Sequence, residues 1–315
     1  MGGLSSLMTK HDVAVVGEIF IDHVFTGFDR WPRPGEESYA PCYTREVGGG
    51  AAITACALAR LGRSVNLIGI IGIDDASWIE DRLKACNVSC GGLTKVDGST
   101  GVTVSVSVHH ERSFFSHLGE NKKLQAALQS ETMFATLCQT RHVHFALPLE
   151  LDFALRLLPA LRANGCTTSL DVGFHPVWLQ ALPNLDICRA VDYFFPNELE
   201  AALLCGGEDV DYLSFAQHKG LSRPVVKRGR LGAAMIADGI RYEATAPSNP
   251  VVDTTGAGDA FDAGFIDAHL DAASPQDCLR RACVCGALST RAAGALSALP
   301  ERVELDRVCR QHHGA

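Results

Sequence analysis

Short apolar runs alternate along this chain with longer stretches of helical period. The run Val13-Ala14-Val15-Val16-Gly17 opens the series. Further strands are expected over 65–71, 142–147, 167–172, 191–195 and 224–227, each an apolar-rich run too short for a helix. Between them the spacing predicts helices over 51–62, 76–85, 151–163 and 197–205, and two more over 257–270 and 275–292. A hairpin is expected where 231–237 and 241–246 flank Asp238-Gly239. Buried strands alternating with helices call for an α/β fold, a mostly parallel central sheet with helices on both faces. At 315 residues the chain has room for one such domain and a small appendage.

Two segments break the pattern. Residues 22–47 carry Pro32, Pro34, Gly35 and Pro41 among polar and aromatic residues, so loop and short strand are expected there. Residues 100–115 alternate, with Val102, Val104, Val106 and Val108 on one face and Thr103, Ser105, Ser107 and His109 on the other. That is the period of a two-faced strand of an antiparallel sheet. Together the two segments are expected to form a small β-sheet lid. The implied division is 1–21, 49–99 and 118–315 for the large domain, and 22–48 with 100–117 for the lid.

Charge and cysteine usage exclude several functions. A net charge of −8 argues against nucleic acid or an anionic membrane as the main partner. The longest apolar run, 65–73, is far too short to span a bilayer. Residues 1–10 lack a basic start followed by an apolar run, so no secretory leader is expected. The twelve cysteines are scattered without zinc-knuckle spacing, which fits free thiols in a reducing cytoplasm.

The stretch Asp253-Thr254-Thr255-Gly256-Ala257-Gly258-Asp259-Ala260-Phe261 carries the clearest chemistry. Two glycines one residue apart lead into a helical pattern. The free N–H groups and positive dipole of a helix N-terminus there can hold an anion. Asp259 falls in the first turn beside it. An ordinary tight turn with a dipole-stabilising carboxylate is the plainer account of the same residues. Asn197 and Glu200, three apart at a helix start, read equally as a ligand pair or as a reciprocal capping pair. The Walker A sequence is absent, so this is no P-loop.

At these residues the chain resembles the ribokinase-like (PfkB) carbohydrate kinases. The 253–259 run resembles their C-terminal signature, and Gly48-Gly49-Gly50-Ala51-Ala52 their N-terminal glycine signature. Pro196-Asn197-Glu198-Leu199-Glu200 resembles the Asn-x-x-Glu motif, Val225-Val226-Lys227-Arg228-Gly229 the nucleotide-binding strand end, and Gly119-Glu120-Asn121 a segment that follows the lid. They occur in the family's order across nearly the whole chain.

The resemblance implies ATP-dependent phosphorylation of a hydroxymethyl group of a small sugar or sugar derivative. Asp259 is then the base, and Gly256, Ala257 and Gly258 form the anion hole. A free aspartate has a pKa of about 3.9, so such a base relies on positioning and charge stabilisation. Asp22, Gly48, Gly49 and Phe114 are expected to contact the acceptor. Asn197, Lys227, Gly229, Gly232, Cys283 and Gly294 are expected around ATP, and Glu200 on Mg²⁺ through water. Asp253 and Thr255 resemble a monovalent-cation site, with potassium the implied ion. The resemblance also implies a homodimer formed through the lid.

Three departures bear on the acceptor. Ile53 and Gly50 stand where many sugar kinases of the family carry Asn and Lys. Ala146-Leu147-Pro148 stands where many carry a glutamate, with Glu150 displaced. These departures argue against ribose itself, and Ile53 with the pair Phe114-Phe115 keeps a nucleoside kinase as the alternative reading. A binding regulator without catalysis is the third, and the intact Asp259 argues against it.

Overall fold

The computed structural model describes residues 11–108, 111–207 and 210–314, with the side chains of Glu111 and Arg112 left aside. Residues 1–10, and His109 as a member of the lid's polar face, lie outside the described residues.

The strands in chain order are β1 (His11–Gly17), β2 (Phe20–Phe28), β3 (Cys42–Gly48), β4 (Val65–Gly72), β5 (Ser89–Val96), β6 (Gly101–Val108), β7 (Glu111–His117), β8 (Thr140–Ala146), β9 (Thr167–Leu170), β10 (Tyr193–Phe194), β11 (Val225–Lys227), β12 (Ala233–Ala237) and β13 (Ile240–Ala244). Six form a wholly parallel sheet in the order β10-β9-β8-β1-β4-β5. Isolated parallel bridges from Phe194 to Pro224 and from Asn197 to Lys227 continue it towards an antiparallel set, β11-β12-β13.

Alternation along β1 explains the layers. Val13 and Val15 enter one hydrophobic cluster with helices Gly50–Arg60, Ala257–Leu270 and Pro275–Ser289. Ala14 and Val16 enter a second, with helix Leu151–Ala163. Both faces are therefore covered, as the apolar runs require. The chain passes from β1 to β4 on one side and reaches β8 on the other, so the sheet order reverses at β1. Ligands of open α/β sheets gather at the strand C-termini beside such a reversal. Here Gly17 and Ala146 sit side by side at that place.

The small sheet has the order β3-β2-β6-β7. Its β2–β3 and β6–β7 pairs are antiparallel and β2–β6 is parallel. Residues 100–115 are thus a hairpin of two strands, not one strand. No Gly, Pro, Asn or Asp stands between Val108 and Glu111, which is why alternation reads straight from one strand into the next. Residues 22–47 hold two full strands, and their prolines fall in the connection between Phe28 and Cys42. Strand β5 and helix Arg302–His313 lack a readable pattern: β5 contains Gly91-Gly92, and Leu305 is the helix's buried residue. That helix is tied down electrostatically. Buried Asp267 accepts hydrogen bonds from Arg63 (2.7 Å), Arg281 (3.0 Å) and Arg302 (2.6 Å).

Candidate active site

Gly256 caps helix Ala257–Leu270 in the left-handed region, with φ of +75°. A Cβ there would lie 2.9 Å from both Ala295 and Ile53, so the position needs glycine for conformation and for space. Ile53 is buried beneath this turn, and packs against the loop. Ala257 and Gly258 line a cavity of about 920 Å³ at the sheet's reversal point; the Ala257 N–H reaches back to the Thr254 carbonyl at 3.2 Å.

Asp259 lines the same cavity. A Cβ added at Gly50 would come within 2.8 Å of its Oδ1, so Gly50 gives this carboxylate its room. Burial, and then the Asp171 carboxylate, raise the Asp259 pKa to about 7, against the pull of Lys227. The sequence suggested a weak base that must rely on placement; the structure gives a carboxyl that titrates near neutrality.

Beside it lie two acids that sequence reasoning missed. Asp171 follows β9 directly, and Asp262 is one helical turn beyond Asp259. Oxygens of Asp171, Asp259 and Asp262 lie within 4.8 Å of one another. Lys227, the last residue of β11, donates to Asp171 Oδ2 at 2.6 Å and to Asp262 Oδ1 at 3.4 Å. Asp171 was findable: it is a carboxylate at the carboxyl end of an anticipated strand, where ligands collect.

Asn197 and Glu200 form a true capping box. The Asn197 N–H donates to Glu200 Oε2 (2.8 Å) and the Glu200 N–H to Asn197 Oδ1 (2.9 Å). Both also line the cavity, so capping and ligand binding coexist. Burial and the nearby Asp171 push the Glu200 pKa up. Their donors are oxygens, which suit a magnesium ion that keeps its waters.

Gly229, Gly232 and Cys283 line the cavity as well. Gly232 has φ of +91°, and a Cβ there would run into the Ala244 carbonyl. Gly294 does not line it. Its N–H donates to Asp253 Oδ2 (2.9 Å), while the Thr255 N–H donates to Asp253 Oδ1 (2.7 Å). Asp253 thereby fastens the loop before the helix to the turn at Gly294.

The opposite end is built by β1, the turn after it and the lid. Glu18, Phe20, Ala146 and Leu147 line this end; Glu18 and Phe20 went unread in the sequence. Asn121 pins the bend, accepting from the Ile19 N–H (3.1 Å) and donating to the Ile19 carbonyl (2.8 Å). Asp22 on β2 lies against Gly48, where any Cβ would collide with its carboxyl. Its pKa is raised to about 6 by burial and by Glu46 across the β2–β3 pair. Gly49 has φ of +91° with the Glu18 carbonyl where a Cβ would stand. Phe114 shares the face of Asp22, through the pairs Asp22–Thr103 and Ser105–Phe114, but is 56% exposed. Asp22, Gly48, Gly49 and Phe114 all lie beyond the cavity's lining proper. Displaced Glu150 is exposed and stands at the N-cap position of helix Leu151–Ala163 without a side-chain capping bond.

Comparison with known proteins agrees with this fold. Residues 10–302 match the family model described as pfkB family carbohydrate kinase. The chain is 27% identical over 303 residues to a ribokinase of Arabidopsis thaliana, covering 92% of this chain and 79% of that protein. The structure of Arabidopsis thaliana ribokinase complexed with ribose and ATP superposes with a TM-score of 0.84 at 24% identity, over 95% of this chain and 99% of that one. A Methanocaldococcus jannaschii nucleoside kinase superposes with a TM-score of 0.83 at 20% identity, over 97% and 100% of the two chains.

Proposed function

Because the chain belongs to the pfkB family of carbohydrate kinases, we propose that it transfers the γ-phosphoryl group of ATP to a hydroxymethyl group of a small sugar, with Asp259 as the base. One observation carries this reading. Asp259 stands where the helix N-terminus, the Asn197–Lys227 side and the Asp22 side converge, in a setting that raises its pKa to about 7. A general base is most effective when its pKa lies near the working pH.

The acceptor hydroxyl donates to the Asp259 carboxylate. As its oxygen bonds to the γ-phosphorus, the bond from phosphorus to the β-bridging oxygen breaks, and the proton passes to Asp259. The Gly258 N–H and the dipole of the helix that begins at Ala257 stabilise the charge on the phosphoryl oxygens. Bound Mg²⁺ neutralises phosphate charge, with Asn197 and Glu200 the residues that would hold it. Gly229, Gly232 and Cys283 border the nucleotide. Asp253 and Thr255 support a monovalent-cation site beside the anion hole.

Acceptor recognition rests on Asp22, whose two oxygens suit neighbouring hydroxyls. The charged groups at this end are Glu18, Asp22 and Asp259, all acids, which favours a neutral polyol. A nucleoside is the second reading, favoured by Phe20 on the wall and Phe114 on the Asp22 face of the lid.

The lid's other face supports a homodimer. Pairing places Phe25, Tyr43, Val104 and Phe115 together, with Tyr43 and Phe115 exposed and Trp31 edge-on to Phe115. No helix among the described residues is long and apolar enough to cross a membrane. Twelve free thiols support a reducing, cytoplasmic setting.

The test is ADP release with Mg-ATP over neutral sugars, polyols, sugar acids and nucleosides, with and without K⁺. Turnover of a neutral sugar is expected. ATP binding without turnover of any acceptor would overturn the kinase reading.

A further inference from the structure

Lys227 is buried, and its ammonium lies directly beneath the anion hole: a Cβ added at Gly258 would sit 3.3 Å from its Nζ. It faces two carboxyls, Asp171 Oδ2 at 2.6 Å and Asp262 Oδ1 at 3.4 Å. Asp262 is fully buried, and its Oδ2 has no donor within reach. A buried carboxylate oxygen without a donor is costly, whereas a carboxylic acid needs an acceptor there instead. The nearest acceptors are the neighbouring carboxyls: an Asp171 oxygen lies within 4.8 Å of one of Asp262. Three carboxyls with oxygens within 4.8 Å of one another, two of them against a single ammonium, disfavour all three being charged.

We propose that Lys227, Asp171 and Asp262 form a positioning triad under the anion hole: Asp262 keeps a proton and donates it to Asp171, and Lys227 neutralises Asp171. Asp259 is then the one carboxyl of the cluster free to exchange a proton with the acceptor. The triad rests on the reading of Asp259 as base. Lys227 acts through Asp171 and not as a ligand of the ATP phosphates. The directions of titration agree. Lys227 holds Asp171 below the usual carboxylate range, while burial holds Asp262 well above it.

The groups that face Asp259 are Asp171 at the end of β9, Lys227 on β11, Glu200 on helix Glu198–Cys205, Asp22 on β2 and Asp262 on its own helix. Lys227 is the one cation among them. Its loss removes the pull that keeps Asp259 ionised, so the base is protonated at neutral pH. Asp262→Asn keeps a donor for Asp171 and an acceptor for Lys227; Asp262→Ala keeps neither.

The experiment is a steady-state series of Lys227→Met, Asp262→Asn, Asp262→Ala and Asp259→Asn over a pH range. ATP affinity is measured by calorimetry and folding by thermal melts. For Lys227→Met we expect kcat to fall about fivefold at pH about 7 and about tenfold on the acid limb, ATP affinity to stay within about threefold, and the acid limb to move up by about one unit. Asp262→Asn is expected within about threefold of the parent, and Asp262→Ala at least about 30-fold lower. A folded Asp262→Asn as impaired as Asp262→Ala would overturn the triad. So would Lys227→Met with weakened ATP binding and an unchanged kcat. Turnover surviving in Asp259→Asn would instead remove the base, a failure distinct from that of the triad.

Discussion

In helix Ala257–Leu270 ten of the fourteen residues are buried, two aspartates among them, whereas on β7 every residue from Phe114 to His117 is exposed. The helix is packed into the main core and fixes Asp259 from several sides. The lid strand leaves its groups open to solvent, where the proposed acceptor or a second copy would cover them. Rigid packing suits groups that must meet a transition state; a lightly packed flap suits groups that admit and release substrate. The floor should therefore govern kcat, and the lid should govern acceptor KM.

The largest effect is expected on the floor. Asp259→Asn keeps the shape but removes the base, and should lower kcat by about 10²–10⁴-fold while leaving the melting temperature within a few degrees. In the parent enzyme the raised pKa has a definite sign. Asp259 must be ionised to accept a proton, so below its pKa of about 7 kcat/KM should fall tenfold per pH unit. A profile flat down to pH about 5 would mean that the carboxyl keeps an ordinary value or is not the base.

What could be read in the sequence divides along the same line. The loop and helix start at 253–261 are local, so spacing alone placed Gly256, Gly258 and Asp259 together. Asn197 and Glu200 were legible for the same reason, as a capping pair three residues apart. The Asp171–Lys227 contact joins residues far apart in the chain, and no local period announces it. Glu18, one residue past the first apolar run, went unread, because only the bend held by Asn121 turns it into the cavity. Parallel strands buried on both faces are the easiest to see, which is why the main sheet was clear. Residues 100–115, which alternate without a Gly, Pro, Asn or Asp between β6 and β7, read as one strand.

Breaking the lid's polar face should have the next largest effect. Asp22→Ala removes a charged acceptor of hydroxyl hydrogen bonds, each worth about 1.5–3 kcal/mol. Acceptor KM should rise about 10–100-fold, with KM for ATP within about threefold. Equal rises for both substrates would take Asp22 out of the acceptor site.

The smallest effects separate the two faces of one strand. Phe114 and Phe115 are neighbours, so they point to opposite sides of β7. Phe114 lies on the face of Asp22 and Ser105; Phe115 lies on that of Val104 and meets Trp31 edge-on. Phe114→Ala should raise acceptor KM about three- to tenfold, through lost apolar cover over the bound molecule, and leave the sedimentation behaviour unchanged. Phe115→Ala should do the reverse, weakening self-association by about 1–2 kcal/mol with acceptor KM nearly unmoved. Both side chains are already exposed, so neither change should shift the melting temperature of the monomer by more than a degree or two. If both variants alter KM alike while the oligomeric state stays fixed, the lid does not have one face for substrate and one for a twin.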